Sequence, residues 1–186
     1  QSYVDQILGQ YDVASNGSDP LAVFGVNQPV NNREGNIDGM EFAWQHFFGE
    51  TGFGFQANYT LVNGDVELNP AASINDNQFA LVGLSDTANL TAIYEKYGFS
   101  ARLAYNWRDT FLLNTNQGGD RSGTYVEDYG QYDLNVSYDI NEQIAVSFEG
   151  INLTGEDQRI YHRVPEQVYY VYELAPRYQV GVRYKF

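Results

Sequence analysis

Between Tyr170 and Phe186 every even position is apolar or aromatic: Tyr170, Tyr172, Leu174, Pro176, Tyr178, Val180, Val182, Tyr184 and Phe186. The odd positions include Glu173, Arg177, Gln179, Arg183 and Lys185. Successive side chains of a β-strand point to opposite faces, so this pattern predicts one strand with an oily face and a charged face. An oily strand face that runs to a terminal aromatic points to a transmembrane β-barrel, with lipid on one side and a wet lumen on the other.

The same period recurs upstream. Tyr132, Leu134, Val136, Tyr138 and Ile140 alternate with Asp133, Asn135, Ser137 and Asp139, and Asn141-Glu142 follows as a tight turn. Ile144, Val146 and Phe148 open the returning strand, whose phase slips after Gly150 and predicts a β-bulge there. Phe99, Ala101, Leu103, Tyr105 and Trp107 oppose Ser100, Arg102, Asn106 and Arg108, after a turn at 96–98 entered by a strand near 89–95. Phe53, Phe55, Ala57, Tyr59 and Leu61 form another oily face, preceded by Met40, Phe42, Trp44 and His46. Ser2–Leu8 is a weaker strand candidate, the eighth.

The connections alternate in length. Those near 47–52, 96–98 and 141–142 are short; those at roughly 9–33, 64–86, 109–127 and 155–169 are long and rich in Gly, Asn, Asp and Ser. Membrane barrels sort loops this way, with short turns on the periplasmic side and long loops outside, whereas a soluble antiparallel sheet shares the alternation but not the sorting. The charges agree: Arg102, Arg108, Arg177, Arg183 and Lys185 all fall on the polar phase, so none meets lipid, where Arg or Lys at the midplane costs roughly 2–4 kcal/mol.

Composition narrows the function. The net charge of -14 argues against a nucleic-acid partner, which needs clustered Lys and Arg. With no cysteine there is no disulfide framework and no thiolate chemistry. Tyr, at 16 copies, suits strands and membrane interfaces. The mean hydropathy is negative, as expected where lumen residues cancel lipid-facing ones. Gln1-Ser2-Tyr3 opens without the basic and apolar regions of a signal peptide, so a leader has been removed or the chain is part of something longer.

Several segments resemble TonB-dependent receptors, specifically the oligosaccharide type of proteobacteria. They are 52–60 (Gly-Phe-Gly-Phe-Gln-Ala-Asn-Tyr-Thr), 89–102, Tyr129-Gly130-Gln131-Tyr132-Asp133-Leu134, 148–154 (Phe-Glu-Gly-Ile-Asn-Leu-Thr) and the closing 177–186. The resemblance covers roughly residue 30 to the end. It implies an all-β fold: an antiparallel transmembrane β-barrel of 22 strands, of which residues 1–186 supply about the last eight. It also implies an N-terminal plug with a TonB box, both absent from this sequence along with the earlier strands. Implied partners are that plug, the remaining strands, TonB, outer-membrane lipid and lipopolysaccharide, the barrel-assembly machinery, and an oligosaccharide or iron-chelate ligand. Location in the Gram-negative outer membrane follows. The alternatives are a complete eight-stranded outer-membrane barrel acting as a pore, adhesin or structural protein, and a soluble ligand-binding barrel.

Under the receptor reading, outer-loop and rim residues are the ligand-contact candidates: Arg108, Asp109, Asp120, Arg121, Arg159, Tyr161 and Arg163, with Glu127 and Asp128 beside them. Solvated loop charge is the plain alternative for each. Trp107 fits an interfacial girdle better than a sugar-stacking platform. Tyr178, Val180, Val182, Tyr184 and Phe186 resemble the C-terminal signal read by the assembly machinery. No catalytic residue, metal or cofactor is expected. His46 and His162 lack partners at a telling spacing, Asn75-Asp76-Asn77 lacks the spacing of a known calcium loop, and the Asn-Xaa-Thr matches at 58, 89 and 152 carry no meaning in a bacterial strand.

Overall fold

The computed structural model describes residues 34–73, 78–117 and 122–186, and the weak strand candidate Ser2–Leu8 lies outside them. Eleven strands follow in chain order: β1 (Ile37–Phe47), β2 (Phe53–Gly64), β3 (Thr87–Lys96), β4 (Phe99–Arg108), β5 (Phe111–Gln117), β6 (Ser122–Val126), β7 (Tyr129–Asp139), β8 (Ile144–Ile151), β9 (Gln158–His162), β10 (Val168–Tyr172) and β11 (Arg177–Tyr184). Seven form one antiparallel sheet in the order β1-β2-β3-β4-β7-β8-β11, and four form a second in the order β10-β9-β6-β5. No closed barrel occurs among the described residues.

Register turns the sequence pattern into two continuous faces. Residues directly opposite in a ladder share a face. Thus Phe42, Tyr59, Ala88, Trp107 and Gly130 lie on one line across the sheet, and Leu103, Leu134, Gly150 and Tyr178 on another. Both lines, and those parallel to them, are apolar or aromatic across the middle of the sheet; His46 and Lys96 share this phase toward the short-turn end, and the paired Asp38 and Asn63 at the long-loop end. The alternate lines carry Glu41, Gln56, Asn58, Asn89, Arg102, Asn135, Glu149 and Gln179. Arg102, Arg108, Arg177 and Arg183 all stand on this polar face, as the alternation requires. The oily face is open: Val180 is 75 % exposed, Val182 73 % and Trp44 67 %. β1 to β4 and β7 are ten to twelve residues long, enough to cross a hydrocarbon layer when tilted.

The short connections have turn chemistry to match. Tyr97 and Gly98 both take positive φ, 56° and 72°, between the paired Lys96 and Phe99, which is the two-residue hairpin geometry that follows strand twist. The 47–52 connection is a short 3-10 turn, Gly49–Thr51, with the Thr51 hydroxyl donating to Phe48 O at 2.7 Å. At 140–143 the Asn141 side chain accepts the backbone N–H groups of Gln143 and Ile144.

Three sequence expectations need correction. Tyr170–Phe186 is not one strand but two, β10 and β11, in different sheets. Pro176 sits in the break, where the missing N–H removes nothing from a ladder. Gly150 is not in a bulge: it pairs with Leu134 on one side and Tyr178 on the other, and the register runs through it. The phase slip marks instead the end of β8, where Asn152 turns the chain at φ 55°. Finally, 109–127 and 155–169 are not plain loops. They hold β5–β6 and β9–β10, whose sheet order repeats that of β4-β7-β8-β11. Only Asp109-Thr110 separates β4 from β5, and only Glu127-Asp128 separates β6 from β7. The last four strands of the large sheet therefore continue, after a break at the rim, into a second sheet at the long-loop end.

Candidate functional site

Four interruptions at one rim must be satisfied locally, because the ladder bonds lapse there. Asn152 does most of this. It is 4 % exposed, and its amide Nδ2 donates to Glu156 O at 3.0 Å and Leu174 O at 2.5 Å. Its Oδ1 accepts from Glu156 N at 2.9 Å, while its own N–H donates to Asp133 Oδ1 at 2.9 Å. One side chain thus joins the β8–β9 break to the β10–β11 break. Asp133 also accepts from Gln131 Nε2 at 2.6 Å, and Tyr129 OH donates to Gln131 Oε1 at 2.7 Å. This polar chain lies on the wet face just below the rim. The sequence does contain its signal, an Asn-Leu-Thr-Gly turn after a strand, since Asn tolerates positive φ.

Above the rim, the described parts of the β2–β3 connection, residues 65–73 and 78–86, form a strap lying on the second sheet. Leu68 packs with Ala80 and Leu112 in a small buried cluster, against Tyr125. A Cβ at Gly123 would come within 2.2 Å of Leu68 Cδ2, so any larger residue there would require the Leu68 side chain to shift. Asn69 and Gln78 close the strap on itself: Asn69 N donates to Gln78 Oε1 at 2.8 Å, and Gln78 Nε2 donates back to Asn69 O at 3.1 Å.

The arginines singled out from sequence hold this architecture. Arg163 Nε and Nη2 donate to Pro70 O at 2.6 Å and Ala72 O at 2.8 Å, latching the strap to the end of β9. Arg108 Nε donates to Ser85 Oγ at 2.7 Å and Nη2 to Gly83 O at 2.8 Å, while its guanidinium lies 3.7 Å from the Phe111 ring centre. Arg159 pairs with Glu127 at 3.0 Å and donates to Pro165 O at 2.7 Å. Asp109 is exposed, and its carboxylate accepts from Thr110 N at 2.7 Å; Asp128 N donates to the Thr110 hydroxyl at 3.0 Å. Tyr161 is buried and stacks on Tyr125 with ring centres 5.4 Å apart. Asp120, Arg121 and the Asn75-Asp76-Asn77 stretch lie outside the described residues.

Between strap and sheet remains a cavity of about 300 Å3, walled by Phe111, Tyr125 and Tyr161 on the sheet side and reached by Glu67 and Asn63. Burial, then the Glu67 carboxylate, push the Tyr125 phenol above its ordinary value. Tyr161 rises mainly through burial, with the Tyr125 ring and Glu127 adding to it and Arg159 opposing. Both hydroxyls therefore keep their protons at neutral pH. Thr124, fully buried, lies 3.2 Å from His162 Nδ1, whose ring packs on Tyr169 at 4.2 Å. With its hydroxyl sealed from solvent, this pair reads as a strand-to-strand contact. His46 packs on Phe48 at 4.8 Å near the short turn. At the opposite terminus, Tyr178, Val180, Val182 and Tyr184 occupy the oily face of β11, and Phe186 meets Tyr184 edge-to-face at 5.3 Å.

A sheet with one face oily between its rims, one polar face and long connections gathered at one end is a segment of membrane-barrel wall. The sequence matches the family described as TonB dependent receptor-like, beta-barrel, over residues 2–153, and the chain belongs to that family. The matched span begins nearer the start than the residues that carry the resemblance and stops short of β9, β10 and β11. Comparison with curated proteins and with solved structures found no match. Barrels of this family reside in outer membranes and serve receptors that transport, rather than enzymes.

Proposed function

We propose that residues 1–186 are the C-terminal wall and outer loops of a TonB-dependent receptor that imports an oligosaccharide or an iron chelate across a Gram-negative outer membrane. The wall belongs to a 22-stranded barrel and contributes about eight of its strands. The plug and earlier strands lie elsewhere in the same protein, and TonB acts through the plug. The observation that carries this reading is the oily face, which continues through seven strands with charge only at its two rims, Lys96 at the short turns and Asp38 at the long-loop end. Its polar reverse fits a wet lumen that holds a plug.

In this reading the outer loops capture ligand. Asp109, Asp120, Arg121, Tyr161 and the rim arginines Arg108, Arg159 and Arg163 shape that surface, the rim arginines through the strap and loop carbonyls they bind. Tyr178, Val180, Val182, Tyr184 and Phe186 serve as the signal for the assembly machinery, and the oily face meets lipid and the acyl chains of lipopolysaccharide.

Growth tests this. Strains lacking the whole receptor, or lacking TonB, are compared on neutral oligosaccharides as sole carbon source and on ferric chelates as sole iron source. Both deletions should abolish growth on the same nutrient. Growth lost with the receptor but independent of TonB would return the chain to the passive-pore alternative.

A further inference from the structure

The cavity beneath the strap has the makings of a ligand site with a definite selectivity. Its volume, about 300 Å3, is at the lower end of small-molecule sites, roughly 300–1,000 Å3. Phe111, Tyr125 and Tyr161 offer ring surface, while Glu67, Asn63 and Thr110 offer polar atoms. Among the described residues that line it there is no Lys, Arg or His. The neighbouring guanidinium groups direct their hydrogen bonds away from it: Arg108, which lies against the Phe111 ring, to Ser85 and Gly83, Arg159 to Glu127, Arg163 to Pro70 and Ala72. An anion entering here would find the Glu67 carboxylate and no lining cation, which opposes it.

The polar set contains both kinds of hydrogen-bonding group. Glu67 only accepts, while Asn63, Thr110 and the tyrosines can also donate. An organic cation would leave those donors idle. A hydroxyl both donates and accepts, and the C–H face of a sugar ring lies flat on an aromatic ring. We propose that this cleft holds one or two sugar rings of an uncharged polyhydroxylated ligand, with Glu67, Asn63 and Thr110 on its hydroxyls and Tyr125 and Phe111 against its apolar face. This rests on the receptor reading above and separates its two substrate classes, favouring the saccharide over the anionic iron chelate. Arg163 is a positioning residue here, since it holds the strap that forms the outer wall.

The test is calorimetric titration of the whole receptor in detergent with maltotriose, cellotriose, xylotriose, choline and a ferric tris-catecholate. At least one neutral trisaccharide should bind. Glu67→Ala should weaken it about tenfold, the loss of one hydrogen bond to a charged group. Glu67 is exposed, so this variant should fold, and retained heat-modifiable mobility confirms it. Tyr125→Phe, which keeps the ring, should give a smaller loss. The proposal is overturned if no trisaccharide binds, if only choline or the ferric complex binds, or if neither variant weakens saccharide binding. TonB-dependent growth that persists alongside any of those results leaves the receptor reading standing and removes only this one.

Discussion

Asn152 is the residue on which the rim depends most. Replacing it with Ala removes three side-chain hydrogen bonds and leaves Glu156 N–H and two carbonyls without their partner in a buried place. It also forces a Cβ residue lacking a local polar side chain to hold φ 55°. Together these should cost about 2–4 kcal/mol in urea unfolding of the whole receptor in micelles. Asn152→Gly relieves the backbone but not the hydrogen bonds, so it should recover about 1 kcal/mol of that loss. Equal losses for the two variants would show that the backbone conformation contributes nothing. A second residue-scale prediction concerns acid. Asp65 accepts from Asn36 N at 2.8 Å and from Asn36 Nδ2 at 2.6 Å, and these bonds hold its carboxyl below the usual carboxylate range. A depressed folded value means the contribution is complete above the ordinary value of 3.8 and fades as pH falls through the lower, folded one. The protection of the Asn36 amide, its exchange rate relative to an unstructured amide at the same pH, should therefore hold through pH 4 and fall only below it, whereas in Asp65→Asn it should show no such step.

At the scale of elements, the two sheets differ in how they were written into the sequence. β1 to β4, β7, β8 and β11 face oil on one side and water on the other, so alternation identifies each of them. β6 and β9 are covered on both faces: Gly123, Thr124 and Val126 are buried in one, Ile160 and Tyr161 in the other. With no face to alternate, these short strands look like loop. The break in 170–186 was hidden for the opposite reason, because Leu174 and Pro176 keep the oily phase while leaving the ladder. The strap and its cavity were illegible since they depend on contacts such as Arg163 with Pro70, more than ninety positions apart. The legible part makes a sharp prediction. Val180→Arg places a charge on the oily face at the middle of β11 and should cost roughly 2–4 kcal/mol, while Gln179→Arg, one residue away on the wet face, should stay within about 0.5 kcal/mol. Similar values for the two would mean that no lipid lies on that face. The outer sheet predicts an alkaline limit. The raised values of Tyr125 and Tyr161 make their contribution complete below pH 10, the ordinary phenol value, and progressively lost as pH climbs through the folded ones. Tyrosinate absorbance should thus show Tyr125 and Tyr161 among the late-ionising phenols, and Tyr161→Phe should lower the number of late-ionising phenols by one.

For the whole molecule, the decisive fact is that the seven-stranded sheet ends in two unpaired strands among the described residues, β1 and β11. About half the backbone N–H and C=O groups of an edge strand point away from its one neighbour. In hydrocarbon each such group left unsatisfied costs several kcal/mol, and no water reaches in to help. Along β11, eight residues long, the sum far exceeds the ~5–15 kcal/mol that stabilises an ordinary domain. An open sheet of this kind is therefore not an end state in a bilayer. Something must pair with both edges, and two partners compete for that role: strands from the remainder of a larger barrel, or closure within these 186 residues. The difference is measurable without knowing the ligand. Refolded into detergent by itself, the 186-residue chain should fail to give a monomer whose gel mobility shifts on heating, whereas the whole receptor should give one. Under the receptor reading, co-refolding with the remainder of the larger barrel should restore the shift, because it would supply the missing edges. A heat-modifiable monomer from the short chain alone would mean that β11 finds its partner inside it, and the wall would then be a small barrel complete in itself.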